Sequence, residues 1–165
     1  MIDVRDRSHR RMIAAALAVP LAAAVMTISG SHAHDPHVTF SAGEPGNPKQ
    51  RARVVEIVMR DAEGKMAFVP NRIEVRRGEQ IRFVLRNEGA LEHEFMLATK
   101  EENAKHAELM QKYPDMEHDD PNGKRLKSSG ASEILWRFSK RGEFEFACLI
   151  PGHYEAGMFG KVIVK

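Results

Sequence analysis

NRIEVRRGEQIRFVLRNEG, residues 71–89, decides the fold class. Ile73 and Val75 alternate with Glu74 and Arg76. After Arg77-Gly78-Glu79, Ile81, Phe83 and Leu85 alternate with Arg82, Val84 and Arg86, and Asn87-Glu88-Gly89 closes the run. Period-two alternation between turn residues describes two strands, each with one buried face. The same texture extends in both directions. ARVVEIVMRD (52–61) leads to a turn at Asp61–Gly64. EHEFMLAT (92–99), SEILWRFS (132–139), EFEFACL (143–149) and the final GKVIVK supply further strands. About seven short strands with frequent turns predict an all-β protein, a Greek-key β-sandwich. Trp136 and Phe138 are expected in its core.

One segment departs from this pattern. Thr99 with Glu102 forms a capping box, KEENAKHAELMQKY is helix-forming, and Pro114 ends it. His106, Met110 and Tyr113 fall on one helical face. PDMEHDDPNGKRLKSSGA then reads as a long polar loop, so a short helical insertion at about 100–130 interrupts the strands.

The chain has 165 residues, room for one domain. Its start reads as a secretory signal peptide over residues 1–33: Arg5, Arg7, Arg10 and Arg11, an apolar run from Met12 to Ile28, then Ser31-His32-Ala33. A membrane anchor is the competing reading, but the run is short for a span. Arg10-Arg11 leaves the choice between general and twin-arginine export open. Residues 34–50, rich in Pro and Gly and bearing His34 and His37, read as a flexible arm, either solvated or weakly metal-collecting. Residues 51–165 then form the sandwich domain. Removing the leader's four basic and two acidic residues from totals of 25 and 23 leaves 21 of each. So balanced a chain offers no basic block for nucleic acid or anionic lipid. A monomer without a membrane span after cleavage is expected, located in the periplasm.

The chemistry gathers near the end, in ACLIPGHYEAGM (147–158). Cys148 is the lone cysteine; His153 follows five positions later and Met158 five after that. A thiol nucleophile gains nothing from the methionine and lacks a helix N-terminus. Structural zinc wants a second cysteine. Thiolate, imidazole and thioether together suit copper, and two histidines, one cysteine and a weak axial methionine make the blue-copper set. Pro151-Gly152 and Gly157 let the loop turn tightly. The second histidine has to come from elsewhere, and His93, opening a strand after NEGALE, is the best candidate. Met59, Met66 and Met96 read as packing residues. His106, Met110, Met116 and His118 make up a possible second, Cu(I)-selective site, or else an ordinary helix face and polar loop.

C-x4-H-x4-M near the C-terminus, an upstream His opening a strand, and FVPNRIEVRRGEQIRFVLRN before it resemble the cupredoxins over roughly residues 51–165. The resemblance implies the cupredoxin fold and one type 1 copper bound by His93, Cys148, His153 and axial Met158. HAELMQKYPDMEHDDPN, with ACLIPGHYEAGMFGKV and a His-bearing arm, is similar to the periplasmic copper-tolerance cupredoxins called CopI-like. That likeness implies copper tolerance or homeostasis through binding, sequestration or redox handling. This arm is sparse in histidine for that group.

Two functions use the same ligands: copper homeostasis, or one-electron carriage in a periplasmic chain, each with a redox or copper-delivery partner. An enzyme is not expected. A multicopper oxidase needs several H-x-H pairs, and beyond residue 33 there are six histidines.

Overall fold

The computed structural model describes residues 39–114 and 120–165. In chain order its elements are β1 (Glu44–Pro45), β2 (Arg53–Ala62), β3 (Lys65–Val69), β4 (Arg72–Val75), β5 (Gln80–Asn87), β6 (His93–Ala98), α1 (Lys100–Lys112), β7 (Gly123–Leu126), β8 (Ala131–Arg137), β9 (Gly142–Ala147) and β10 (Phe159–Val164). They form two five-stranded sheets, ordered β1-β8-β5-β2-β3 and β4-β10-β9-β6-β7. The described residues form an all-β sandwich with one short helix. Among the described residues, no helix is long and apolar enough to cross a membrane.

Residues 71–89 supply one strand to each sheet. Ile73, Val75, Ile81, Phe83 and Leu85 all enter the core, as their alternation predicts. Between them the chain changes sheets, with Gly78 at φ +85° and its N–H bonded to Phe138 O at 2.6 Å. β4 then pairs parallel to β10, and β5 parallel to β2. Between the sheets Phe95 stacks on Phe146 with centroids 5.2 Å apart, and Phe68 meets both edge-on. Trp136 and Phe138 are fully buried, as expected.

The helix begins where the capping box places it. Thr99 Oγ1 accepts from Glu102 N, and the Glu102 carboxylate accepts from Thr99 N, both at 3.2 Å. Such a cap is worth about 1 kcal/mol. Ser41 also donates to Glu102, tying the helix start to the N-terminal segment.

Two expectations need correction, and one strand is new. The arm does not run to residue 50: β1 pairs with β8, Ala42 is fully buried, and its carbonyl accepts from Trp136 Nε1 at 3.2 Å. The polar stretch after the helix is not all loop, because Gly123–Leu126 pairs with β6 as an edge strand. β3 was not foreseen; it completes a hairpin with β2. The leader, His34, His37, Met116 and His118 lie outside the described residues.

Candidate metal centre

The loop between β9 and β10 folds by its own backbone bonds. Cys148 N–H donates to Met158 O at 3.0 Å, Met158 N–H to His153 O at 3.1 Å, and His153 N–H to Ile150 O at 3.0 Å. Residues 148 and 158 therefore face each other across the loop neck, with His153 between. Gly157, at φ +100°, sits where an added Cβ would lie 3.3 Å from Met66 O. Met66 N–H in turn donates to Ala156 O at 3.0 Å, so the β2–β3 hairpin grips the loop.

His93 arrives from β6 in the same sheet. Before it, Asn87 organises the turn: its Nδ2 donates to Leu91 O and Leu126 O, and its Oδ1 accepts from Gly89 N. The result brings His93, Cys148 and His153 together, with one donor atom of each lying within 4.8 Å of the others. His93 Nδ1 is 3.2 Å from His153 Nδ1, and Cys148 Sγ is 3.3 Å from His153 Nδ1. Met158 is fully buried in the same core cluster as Cys148.

Asp61, at the end of β2, was not foreseen. Its carboxylate accepts from Ala90 N and Leu91 N at 3.1 Å each, and lies 2.8 Å from His93 Nε2. The Leu91 and Ala90 amides, together with His93, hold its pKa below the ordinary carboxylate value. An ionised carboxylate only accepts, so His93 Nε2 donates to Asp61, and Nδ1 is the nitrogen turned toward His153. A Cβ on Gly89 would stand 2.0 Å from Asp61 Oδ2, so this contact requires glycine.

Burial pushes the Cys148 thiol up to about 12, against a hydrogen bond from Glu94 N–H to Sγ at 3.2 Å. His153 is half-buried, and desolvation, followed by the neighbouring His93, lowers its pKa. At neutral pH the pocket thus holds the His153 lone pair and a thiol whose proton is displaced only by a strong Lewis acid. Donors 3.2–3.3 Å apart suit an ion about 2.0–2.3 Å from each. The donor set fits the metal that its composition predicts.

The structure treats the other sequence candidates differently. Met59 is core, Met66 packs on the core edge, and Met96 lies on the opposite face of β6 from His93. Met110 is fully buried with Met96, Ala147 and Leu149 beneath α1. His106 faces that same sheet, its Nε2 3.8 Å from Glu94 Oε1.

The chain matches the family model of copper-binding proteins of the plastocyanin/azurin family over residues 55–165. It is 49% identical over 137 residues to the copper-resistant cuproprotein CopI of Rubrivivax gelatinosus, covering 83% of this chain and 80% of that one. It is 36% identical over 152 residues to the protein of the same name from Pseudomonas aeruginosa PAO1, covering 74% and 82%. Among solved structures, auracyanin B superposes with a TM-score of 0.61 at 23% identity, over 75% of this chain and 96% of that one. This chain belongs to the plastocyanin/azurin family of copper-binding proteins and is a CopI-like cupredoxin whose cofactor is copper.

Proposed function

We propose that the protein protects the cell against copper from the periplasm, holding one ion at His93, Cys148 and His153 with Met158 as axial ligand. The observation that carries this reading is the convergence of two imidazoles and the lone thiol within 4.8 Å at one end of the sandwich. Residues 1–33 act as a cleaved export signal in this reading, and residues 51–165 carry the binding function.

The residues divide the work. Asp61 fixes the His93 tautomer and ring orientation. The Glu94 amide meets Cys148 Sγ and stabilises the thiolate that binding creates. The loop's closed backbone keeps Cys148 and His153 from separating, so little reorganisation is needed. Burial of His93, Cys148 and Met158 excludes water, leaving His153 as the half-exposed point of access. Bound copper would supply one-electron chemistry between its Cu(I) and Cu(II) states.

Electron carriage is the second reading, favoured by one observation. Exposed Phe159 stacks on Tyr154, centroids 5.0 Å apart, one residue from His153. That apolar surface suits transient docking.

Complementation separates the two. Cells lacking the gene should lose growth in excess copper, and the wild-type gene should restore it while Cys148→Ala does not. If the deletion mutant tolerates copper normally but loses a respiratory activity, carriage replaces tolerance. Purified Cys148→Ala should lack the intense visible thiolate-to-copper band; its persistence would remove Cys148 from the site.

A further inference from the structure

β6 sends its side chains alternately to two faces. His93, Phe95 and Leu97 turn inward, whereas Glu94 and Met96 turn outward under α1. That outer face should be polar and wet. Instead all six residues of β6 are buried.

Glu94 is 1% exposed, and its Oε2 has no hydrogen-bond partner among the described residues. Asn103 is also 1% exposed, and its Oδ1 likewise has none; its Nδ2 donates to Glu145 Oε1 at 3.1 Å. Both orphaned atoms are acceptors, so what this layer lacks is a donor or a cation. Asn103 precedes His106 by three residues, on the same helical face. His106 Nε2 stands 3.8 Å from Glu94 Oε1, too far for a hydrogen bond. Two ligands of one ion, each about 2.0–2.2 Å from it, stand about 3–4 Å apart. A cavity of about 170 Å³ opens beside His106 and Asn103, with Met96, Asp120 and Asn122 also in its wall.

We propose that Glu94 and His106 are ligands of a second copper site, with Asn103 Oδ1 as the neighbouring oxygen donor. The proposal rests on the chain's being a copper protein. It differs from the soft-donor site over His106, Met110, Met116 and His118 that the sequence suggested. Met110 packs with Met96 and Leu149, so the group the fold assembles is one nitrogen and two oxygens. Nitrogen and oxygen donors suit Cu(II), which the divalent affinity order also favours over zinc. The two sites lie on opposite faces of one strand. Glu94 is bonded in sequence to His93, and its amide reaches Cys148 Sγ.

Cu(II) titration of the full chain tests this, with wild type compared to Glu94→Gln and His106→Gln. Each variant should bind one equivalent fewer than wild type and lose a colourless type 2 EPR signal. In His106→Gln the visible band from Cys148 should stay unchanged, which separates this site from the first. Copper collected by the arm is common to all three proteins and cancels. If both variants keep the wild-type count and EPR spectrum, the proposal is wrong. Should either variant fail to fold, anomalous scattering at the copper edge from copper-loaded wild-type crystals decides. A peak between Glu94 and His106 supports the site; a peak only at Cys148 overturns it.

Discussion

The two sides of the metal centre are built on opposite plans. Cys148, His153 and Met158 come from one loop of eleven residues whose own backbone bonds close it. His93 comes from β6, and its imidazole is set by Asp61, Asn87 and Gly89, the first of these thirty-two residues away. The loop side is a local device; the β6 side depends on the packed sandwich. Damage to the loop side should therefore register as lost metal chemistry, and damage to the β6 side as lost stability together with metal affinity.

Proton competition gives the largest contrast. The loop side holds the proton that copper must displace, since burial raises the Cys148 thiol to about 12. His153, its pKa lowered by desolvation, is already neutral at pH 7 and does not compete. With one proton released on binding, Cu(II) affinity should rise about tenfold per pH unit, roughly a hundredfold from about pH 7 to pH 9. Competition titrations with a chelator would measure it. A pH-independent affinity would mean that the apo thiol is already ionised.

Asp61→Ala comes next. It strands the Ala90 and Leu91 amides and frees the His93 tautomer. The expected cost is about 10–100-fold in copper affinity, with about 1–3 kcal/mol of apo stability. Nitrogen NMR of the apo protein should show His93 shifting from its Nε2–H tautomer to a mixture. An unchanged tautomer would mean that Asp61 merely braces the turn.

Gly89→Ala attacks the same contact from the backbone. Its Cβ would overlap Asp61 Oδ2, and a loss of about 1–3 kcal/mol is expected in denaturant unfolding. Met158→Leu should have the smallest effect on stability, below about 1.5 kcal/mol, because volume is conserved. Copper should stay bound while the reduction potential moves, as axial substitution does. If Met158→Leu destabilises as much as Gly89→Ala, the loop is not the self-sufficient unit its hydrogen bonds describe.

The same division explains what could be read in advance. Cys148, His153 and Met158 lie at five-residue spacing in a loop marked by Pro151-Gly152 and Gly157, so their meeting is written locally. Ile73, Val75, Ile81, Phe83 and Leu85 announce their strands because one face is buried and the other wet. Asp61 gives no such signal: it sits at a strand end before an ordinary hairpin turn, and its partners lie at positions 90, 91 and 93. Glu94 was illegible for a different reason. Alternation assigns a charged strand residue to solvent, whereas α1 covers that face. β7 reads GKRL, with no apolar alternation, and pairs only because β6 offers it an edge.

The hydrogen bond from Met66 to Ala156 has a practical reach. Anyone grafting residues 148–158 onto another sandwich to transplant the copper centre would carry three donors and leave their brace behind. The β2–β3 hairpin pairs Met66 with Asp61 beside its turn, so one short segment steadies both the transplanted loop and the histidine it must meet. The smallest transferable unit is therefore discontinuous: the loop, the strand bearing His93, and the hairpin that touches each.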